Sequence, residues 1–117
     1  MPQESLHIED IAGMLGGQRA LRLSGPILIS NLFQFQALVR ANTLRSLILD
    51  LTQVPYIDSA GIGALVGAYV NHQKDGRRLA LVGVAERVRN TMQVTRVEQL
   101  FQFYDTPQAA EAALAKR

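Results

Sequence analysis

Hydrophobic and polar positions along the chain form two kinds of pattern, continuous apolar runs and helical spacing. Residues 45–54 (RSLILDLTQV) and 78–84 (RLALVGV) are almost continuously apolar, which is typical of strands buried on both faces of a sheet. Between them, apolar residues recur at helical spacing from Ser59 to about Gln73, and a Lys-Asp-Gly turn that ends at Gly76 closes this helix. A strand, a helix and a strand in this order predict a right-handed parallel crossover.

Shorter patterns flank the crossover on both sides. Residues 6–10 (LHIED) predict an edge strand, and residues 19–25 (RALRLSG) predict a strand that ends at Gly25. Residues 85–97 have Val88, Met92 and Thr95 at helical spacing, and residues 100–105 (LFQFYD) alternate as a short strand. Residues 31–42 (NLFQFQALVRAN) predict a helix with four inward residues, Leu32, Phe35, Leu38 and Val39.

A last helix is marked at both ends. Thr106 is its cap, Pro107 suits its first position, and Lys116 and Arg117 complement the helix dipole at its end. Together the elements predict a single α/β domain over residues 1–117. We expect a mainly parallel mixed sheet of four to five strands with about four helices packed on it.

Composition narrows the class of protein. The chain has 117 residues of which 48% are hydrophobic, enough for a core without metal or disulfide support. It has no cysteine, which excludes disulfides and thiolate zinc sites and fits a reducing compartment. The first residues are acidic and lack a basic segment followed by an apolar one, so we expect no signal peptide and a cytoplasmic protein.

Charge and hydropathy argue against nucleic acid and membrane as partners. The longest apolar run, Ala60 to Val70, is too short for a bilayer, which needs about 20 residues, so we expect no stable membrane insertion. Its Gly63 and Gly67 have the spacing of membrane helix pairs, but close packing in a soluble domain explains them better. The net charge is +2 and the arginines are scattered, so no nucleic-acid surface is predicted.

The central predicted helix has an unusual second face. Its stripe of large residues should face the sheet: Ile62, Leu65, Val66, Tyr69 and Val70. The remaining face is flat and nearly free of side chains, with Ala60, Gly63, Ala64, Gly67 and Ala68. Each glycine in a helix costs about 1 kcal/mol relative to alanine, so these glycines need an explanation. Either a neighbouring element of the domain approaches closely there, or another protein docks on the face.

Asp58 and Ser59 lie where this helix begins, and either residue could cap its free amides. The sequence does not match the G-x-S-x-G motif of a hydrolase nucleophile elbow, because Ile57 stands where its first glycine belongs. The nearer histidine, His72, would lie roughly 20 Å away along the helix. A phosphate-binding G-x-G-x-x-G also fails at its third glycine, where the chain has Val66. We therefore expect no enzyme, and no catalytic residue, cofactor or metal.

A further alternative is that Ser59 itself receives a phosphate. A phosphoserine adds about −1.5 to −2 charges, which the amino end of a helix tolerates well. Docking would change, because two like unit charges about 4 Å apart repel by about 4 kcal/mol at an effective dielectric of about 20. Phosphorylation would then separate a micromolar complex.

The segments described above resemble the STAS domain family, shared by bacterial anti-sigma-factor antagonists and the tails of sulphate transporters. Residues 46–65 (SLILDLTQVPYIDSAGIGAL) resemble the family signature of a buried strand that runs into Asp-Ser-small-Gly-x-Gly. Residues 21–27 (LRLSGPI) resemble the strand before the first helix of the family, and residues 78–84 and 97–114 resemble its C-terminal half. The resemblance therefore spans nearly the whole chain.

The resemblance implies a signalling function. Ser59 matches the serine phosphorylated by a partner that is both anti-sigma factor and serine kinase, and a phosphatase would reverse this step. Unphosphorylated protein would bind the anti-sigma factor and free the sigma factor for transcription. The implied partner-binding residues are Asp58, Ser59, Ala60, Gly61, Gly63, Ala64 and Gly67.

Two departures from the antagonist pattern keep an alternative open. Pro26, Ile27 and Leu28 stand where antagonists commonly have an acidic turn, and Ala60 stands where many have a second serine. The alternative is a STAS adaptor subunit of a membrane transporter, of the lipid ABC or sulphate-transporter type, that acts without phosphorylation. The sequence also leaves a homodimer open.

Overall fold

The computed structural model describes residues 5–12 and 15–115. Over these residues the chain forms five strands, four α-helices and one short 3-10 helix. Their order is β1 (His7–Asp10), β2 (Gln18–Ser24), α1 (Phe33–Ala41), β3 (Ser46–Gln53), α2 (Ser59–Lys74), β4 (Arg78–Val82), α3 (Glu86–Val94), the 3-10 helix (Glu98–Leu100), β5 (Gln102–Tyr104) and α4 (Pro107–Ala115).

The strands lie side by side in chain order, from β1 at one edge to β5 at the other. The β1 strand runs antiparallel to β2, and the other three pairs are parallel. Leu49 of the central strand lies between Leu21 and Leu81 in register. This confirms the predicted mixed, mainly parallel sheet with helices between its parallel strands.

The two faces of the sheet are covered unequally. Leucines of β2, β3 and β4 form the larger core together with buried residues of α1, α2 and α3. The other face packs Ala20, Ile48, Ala80 and Val82 against Ala110 and Leu114 of α4. The alternation along each strand explains this division, since successive side chains point to opposite faces. Consequently α1 and α2 lie on the same face of the sheet.

The ends of the elements follow the predictions closely. Helix α2 runs to Lys74, and the backbone at Gly76 has φ of +71°, as a turn after a helix requires. Strand β4 ends before Gly83, where a Cβ would collide with the Thr52 side chain. The Thr106 hydroxyl accepts a hydrogen bond of 3.1 Å from the Ala109 amide, which confirms the predicted cap. Lys116 and Arg117 lie outside the described residues.

Two positions expected to face inward are exposed, and two small residues of the other α2 face are buried. Thr95 is exposed, because α3 ends just before it. Val70 is 45% exposed, whereas Ala64 and Ala68 of the supposedly open face are buried in the larger core. The buried stripe of α2 is therefore rotated toward α1, which packs beside it on the sheet. For Ala64 and Ala68 the first of the two alternatives holds, because a neighbouring helix of the same domain packs on them.

Candidate functional site

The amino end of α2 is held by Asp58. Its Oδ1 accepts a hydrogen bond of 2.8 Å from the Gly61 amide, and its Oδ2 accepts one of 3.0 Å from the Ile29 amide. The first bond caps the helix, as the sequence allowed for either Asp58 or Ser59. The second bond ties the loop between β2 and α1 to the start of α2. One carboxylate therefore fixes two elements.

Ser59 is left available by this arrangement. It is the first residue of α2, it is exposed, and its hydroxyl makes no hydrogen bond to any residue that the structure describes. The amides of the first helical turn favour negative charge at this position. The helix amides would therefore offset part of the negative charge that a phosphate on Ser59 adds.

Gly61 has a reason within the domain. A Cβ at this position would collide with the backbone carbonyl oxygen of Ile27 and with the side chain of Ile57. Ile27 and Ile57 also form an isolated parallel bridge, so the loop after β2 lies directly against the start of α2. Gly61 is buried at this contact. Its glycine serves close packing inside the chain.

Gly63 and Gly67 have no such reason. Both are exposed, and a Cβ built on either one meets no atom within 4 Å. Neither residue has a positive φ. Alanine would therefore fit at both positions and would favour the helix. These glycines leave this face of α2 without side chains, although no close packing among the described residues requires glycine there.

A shallow groove of about 200 Å³ lies between α1 and α2. Its lining combines buried small and apolar residues with exposed residues from both helices: Gln36, Val39, Arg40, Gly63, Ala64, Gly67, Ala68 and Asn71. Ser59 lies four residues before Gly63 and eight before Gly67, so it stands at the head of the α2 wall. Ser59 does not itself line the groove; it lies about one helical turn before Gly63, the first α2 residue of the lining.

Two exposed apolar residues near this head were missed by the sequence reasoning. Phe33 at the start of α1 is 69% exposed, and Ile29 in the preceding loop is 61% exposed. Ile29 is tied to Asp58 by the hydrogen bond described above. The available signal was that Phe33 falls outside the stripe formed by Phe35 and Val39, although it is large and apolar.

Near its carboxyl end, α2 is buried at His72. His72 is fully buried, its Nδ1 lies 2.9 Å from the Ala68 carbonyl oxygen, and its Nε2 lies 3.0 Å from Nδ2 of Asn42. Nδ1 must donate to the carbonyl, so Nε2 accepts from the amide and the ring is neutral. Burial lowers the pKa of His72, and the nearby Arg77 adds to this effect. This histidine serves packing, and it lies too far along α2 to act on Ser59.

The described residues contain no group of three His, Cys, Asp or Glu placed to hold a metal ion. Within the same residues, no helix has the length and apolar character needed to cross a membrane.

Comparisons with known proteins show the family of the chain. Residues 9–110 match the model of the STAS domain family. Over 54 residues the chain is 32% identical to an anti-sigma-B factor antagonist of Listeria monocytogenes, and the match covers 46% of this chain and 47% of that relative. A similar antagonist of Listeria innocua matches equally well. The match thus spans about half the length of these curated relatives.

Solved structures share the fold over most of the chain. An anti-sigma factor antagonist from Mycobacterium paratuberculosis superposes with a TM-score of 0.76, covering 94% of this chain and 96% of that one at 22% identity. The antagonist SpoIIAA in its unphosphorylated form gives a TM-score of 0.73 at 16% identity, covering 96% and 98%. The murine anion transporter Slc26a9 gives 0.77 at 20% identity, and the match covers 88% of this chain but only 18% of the transporter. With its family model matched over most of its length, the chain belongs to the STAS domain family.

Proposed function

We propose that this STAS domain is an anti-sigma factor antagonist whose binding is switched off by phosphorylation of Ser59. The observation that carries the proposal is the exposed hydroxyl of Ser59, which makes no hydrogen bond to any described residue and lies about one helical turn from the groove lining. The antagonists among its relatives and structural neighbours support the choice of partner. The partner would be an anti-sigma factor with serine kinase activity, and a phosphatase would restore binding.

In this proposal the residues around α2 divide their roles. Ser59 accepts the phosphate, and Ala60, Gly63 and Gly67 contact the partner directly. Asp58 and Gly61 hold the start of α2 against the loop that follows β2, so they position the contact surface from within. Ala64 contributes to the buried lining of the groove.

Electrostatics explains how the switch would work. A phosphate on Ser59 is tolerated by the helix amides in the free domain. In the complex the same charge would be desolvated, and a like charge about 4 Å away would oppose it by about 4 kcal/mol at an effective dielectric of about 20. That is enough to dissociate a micromolar complex. Release of the anti-sigma factor would stop sigma-factor-dependent transcription in the cytoplasm.

The test uses immobilised wild-type protein and two variants, Ser59→Ala and Ser59→Asp, in lysate of the source organism. Thr43→Asp is the matched charge control, because Thr43 is exposed just beyond the opposite end of α1. We expect mass spectrometry to identify an anti-sigma factor on wild type, Ser59→Ala and Thr43→Asp, and its loss on Ser59→Asp. Equal retention on all four baits would refute the switch.

A transporter adaptor is the second candidate, supported by the structural likeness to the anion transporter. An adaptor would use the groove but not the hydroxyl of Ser59. All four baits would then retain the same membrane transporter subunit, and Ser59→Ala would have no phenotype in cells.

A further inference from the structure

The groove carries one unpaired positive charge. Arg40 is exposed on the α1 wall, and it makes no ion pair with any residue in the described ranges. None of the described residues that line the groove is acidic. The neighbouring polar side chains, Gln36 and Asn71, are uncharged amides. A partner segment placed here therefore meets a single cation above an apolar base.

Phe33 extends the same wall toward Ser59. Phe33, Gln36 and Arg40 are spaced by three and four residues, so they share one stripe of α1. Helices α1 and α2 each connect two parallel strands on the same face of the sheet, so they run in the same direction. The first residue of α1 thus stands at the same end of the groove as Ser59. An exposed aromatic ring there is the kind of residue that anchors interfaces.

The opposite wall is formed by backbone. With glycine at positions 63 and 67 and open space beyond each Cα, another helix can approach α2 more closely than a side chain would permit. The base of the groove is apolar, since Val39, Ala64 and Ala68 are buried there. A regular helix presents its own apolar stripe at the matching spacing. Shape and charge together specify an amphipathic helix with an acidic residue.

We propose that the occupant of this groove is a helix of the anti-sigma factor, with its apolar face toward Val39, Ala64 and Ala68. A carboxylate of that helix pairs with Arg40, and the ring of Phe33 anchors the helix beside Ser59. The inference rests on the proposed function and adds the chemistry of the partner. Phe33 and Arg40 then determine which anti-sigma factor is bound.

The test titrates the purified anti-sigma factor of the source organism with the full chain by calorimetry. Arg40→Glu is compared with Arg45→Glu, because Arg45 is also exposed but lines a separate cavity beside Leu114 of α4. Phe33→Ala is compared with Val94→Ala, because Val94 is 82% exposed on α3. We expect Kd to rise about tenfold or more for the two groove variants. The two controls should stay within about twofold of wild type.

A charge exchange gives the sharper result. Arginine in place of the pairing carboxylate in the anti-sigma factor should restore binding to Arg40→Glu by about tenfold. The inference is overturned if Ser59→Asp abolishes binding while Arg40→Glu and Phe33→Ala bind like wild type, and the proposed function then survives. If wild type itself does not bind the anti-sigma factor, both proposals fail. Circular dichroism of each variant verifies that the fold is intact.

Discussion

The two ends of helix α2 differ in almost every physical respect. At the amino end, Ser59 is exposed near the groove, while the Asp58 carboxylate and the close packing of Gly61 hold the helix start. At the carboxyl end, His72 is fully buried and bonded to Asn42 and to the Ala68 carbonyl. One end is therefore fixed by packing, and the other presents surface. A domain with this division can change its binding without changing its fold.

The glycines of the same helix show the difference most clearly. Gly61 is required because the chain itself fills the space beside it, whereas Gly63 and Gly67 face open space. Identical residues two and six positions apart therefore differ in their surroundings, since Gly61 is packed inside the domain and the other two glycines lie on its surface.

The largest effect is expected from charge at the amino end. Ser59→Asp should raise the Kd for the anti-sigma factor by about 100-fold, or about 2.7 kcal/mol, because the added carboxylate is desolvated in the complex. The free energy of unfolding should not fall, since an acidic residue in the first helical turn is favourable. Calorimetry and urea denaturation of the same sample measure both quantities. A parallel loss of stability would mean that the two ends of α2 are not independent.

Gly61→Ala should lower the stability of the domain, in contrast to Ser59→Asp. The new Cβ must displace the Ile27 carbonyl or the Ile57 side chain, so unfolding should become easier by about 2 to 3 kcal/mol. Urea denaturation measures the loss, with wild type as reference. Wild-type stability in this variant would show that the loop after β2 yields without strain.

Asn42→Ala should weaken the carboxyl end by about 2 kcal/mol, because the Nε2 of buried His72 loses its hydrogen-bond donor. The control is Asn90→Ala, since Asn90 is exposed on α3. Affinity for the anti-sigma factor should be unchanged when both partners are folded. A variant that loses affinity but not stability would contradict the division between the two ends.

Lowering the pH should decrease the stability of the domain through His72, near the carboxyl end of α2. Burial lowers its pKa in the folded state below 6.5, so under pH 6.5 the unfolded chain binds a proton that the folded chain does not. The contribution of His72 to the free energy of unfolding is fully present above pH 6.5. As the pH decreases from 6.5 to the folded-state pKa, this contribution is lost by at most about 1.4 kcal/mol per pH unit. Arg77 adds to the lowering of the pKa, and Asp75 opposes it.

The comparison is urea denaturation between pH 7.5 and pH 5.5 for wild type, His72→Gln and His7→Gln. His7 lies exposed on β1 and is the matched control. The pH dependence should decrease in His72→Gln and persist in His7→Gln. An unchanged slope in His72→Gln would contradict the prediction, because it would mean that folding does not change proton binding by this ring.

The smallest effect is expected at the open glycines. Gly63→Ala and Gly67→Ala should each stabilise the domain by up to about 1 kcal/mol, because alanine favours the helix and meets no neighbouring atom. Both should weaken binding, since each adds a methyl group to the groove wall. Melting temperature and Kd measure the two changes. A stabilised variant with wild-type affinity would remove these positions from the proposed interface.

Much of this molecule could be predicted from its sequence. Apolar runs and helical spacing identified the parallel strands and the helices, because burial on one or two faces leaves a periodic record in the chain. Local chemistry identified the cap at Thr106 and limited the cap of α2 to Asp58 or Ser59, because a cap depends only on residues within one turn. Membership of the STAS family followed from the strand that runs into Asp58, Ser59 and Gly61, and the family model confirms it.

Only the tertiary structure decided which glycine serves the fold and which serves the surface. Gly61, Gly63 and Gly67 look alike in the sequence, but Gly61 is crowded by the Ile27 carbonyl of a distant loop and by the Ile57 side chain, whereas a Cβ at either other glycine meets no atom of the described residues within 4 Å. The same holds for Val70 and His72, whose exposure depends on where α1 packs. The spacing of apolar residues indicates which face of a helix or strand tends to be buried. It does not record what lies opposite, because contacts between distant segments form only when the chain is folded.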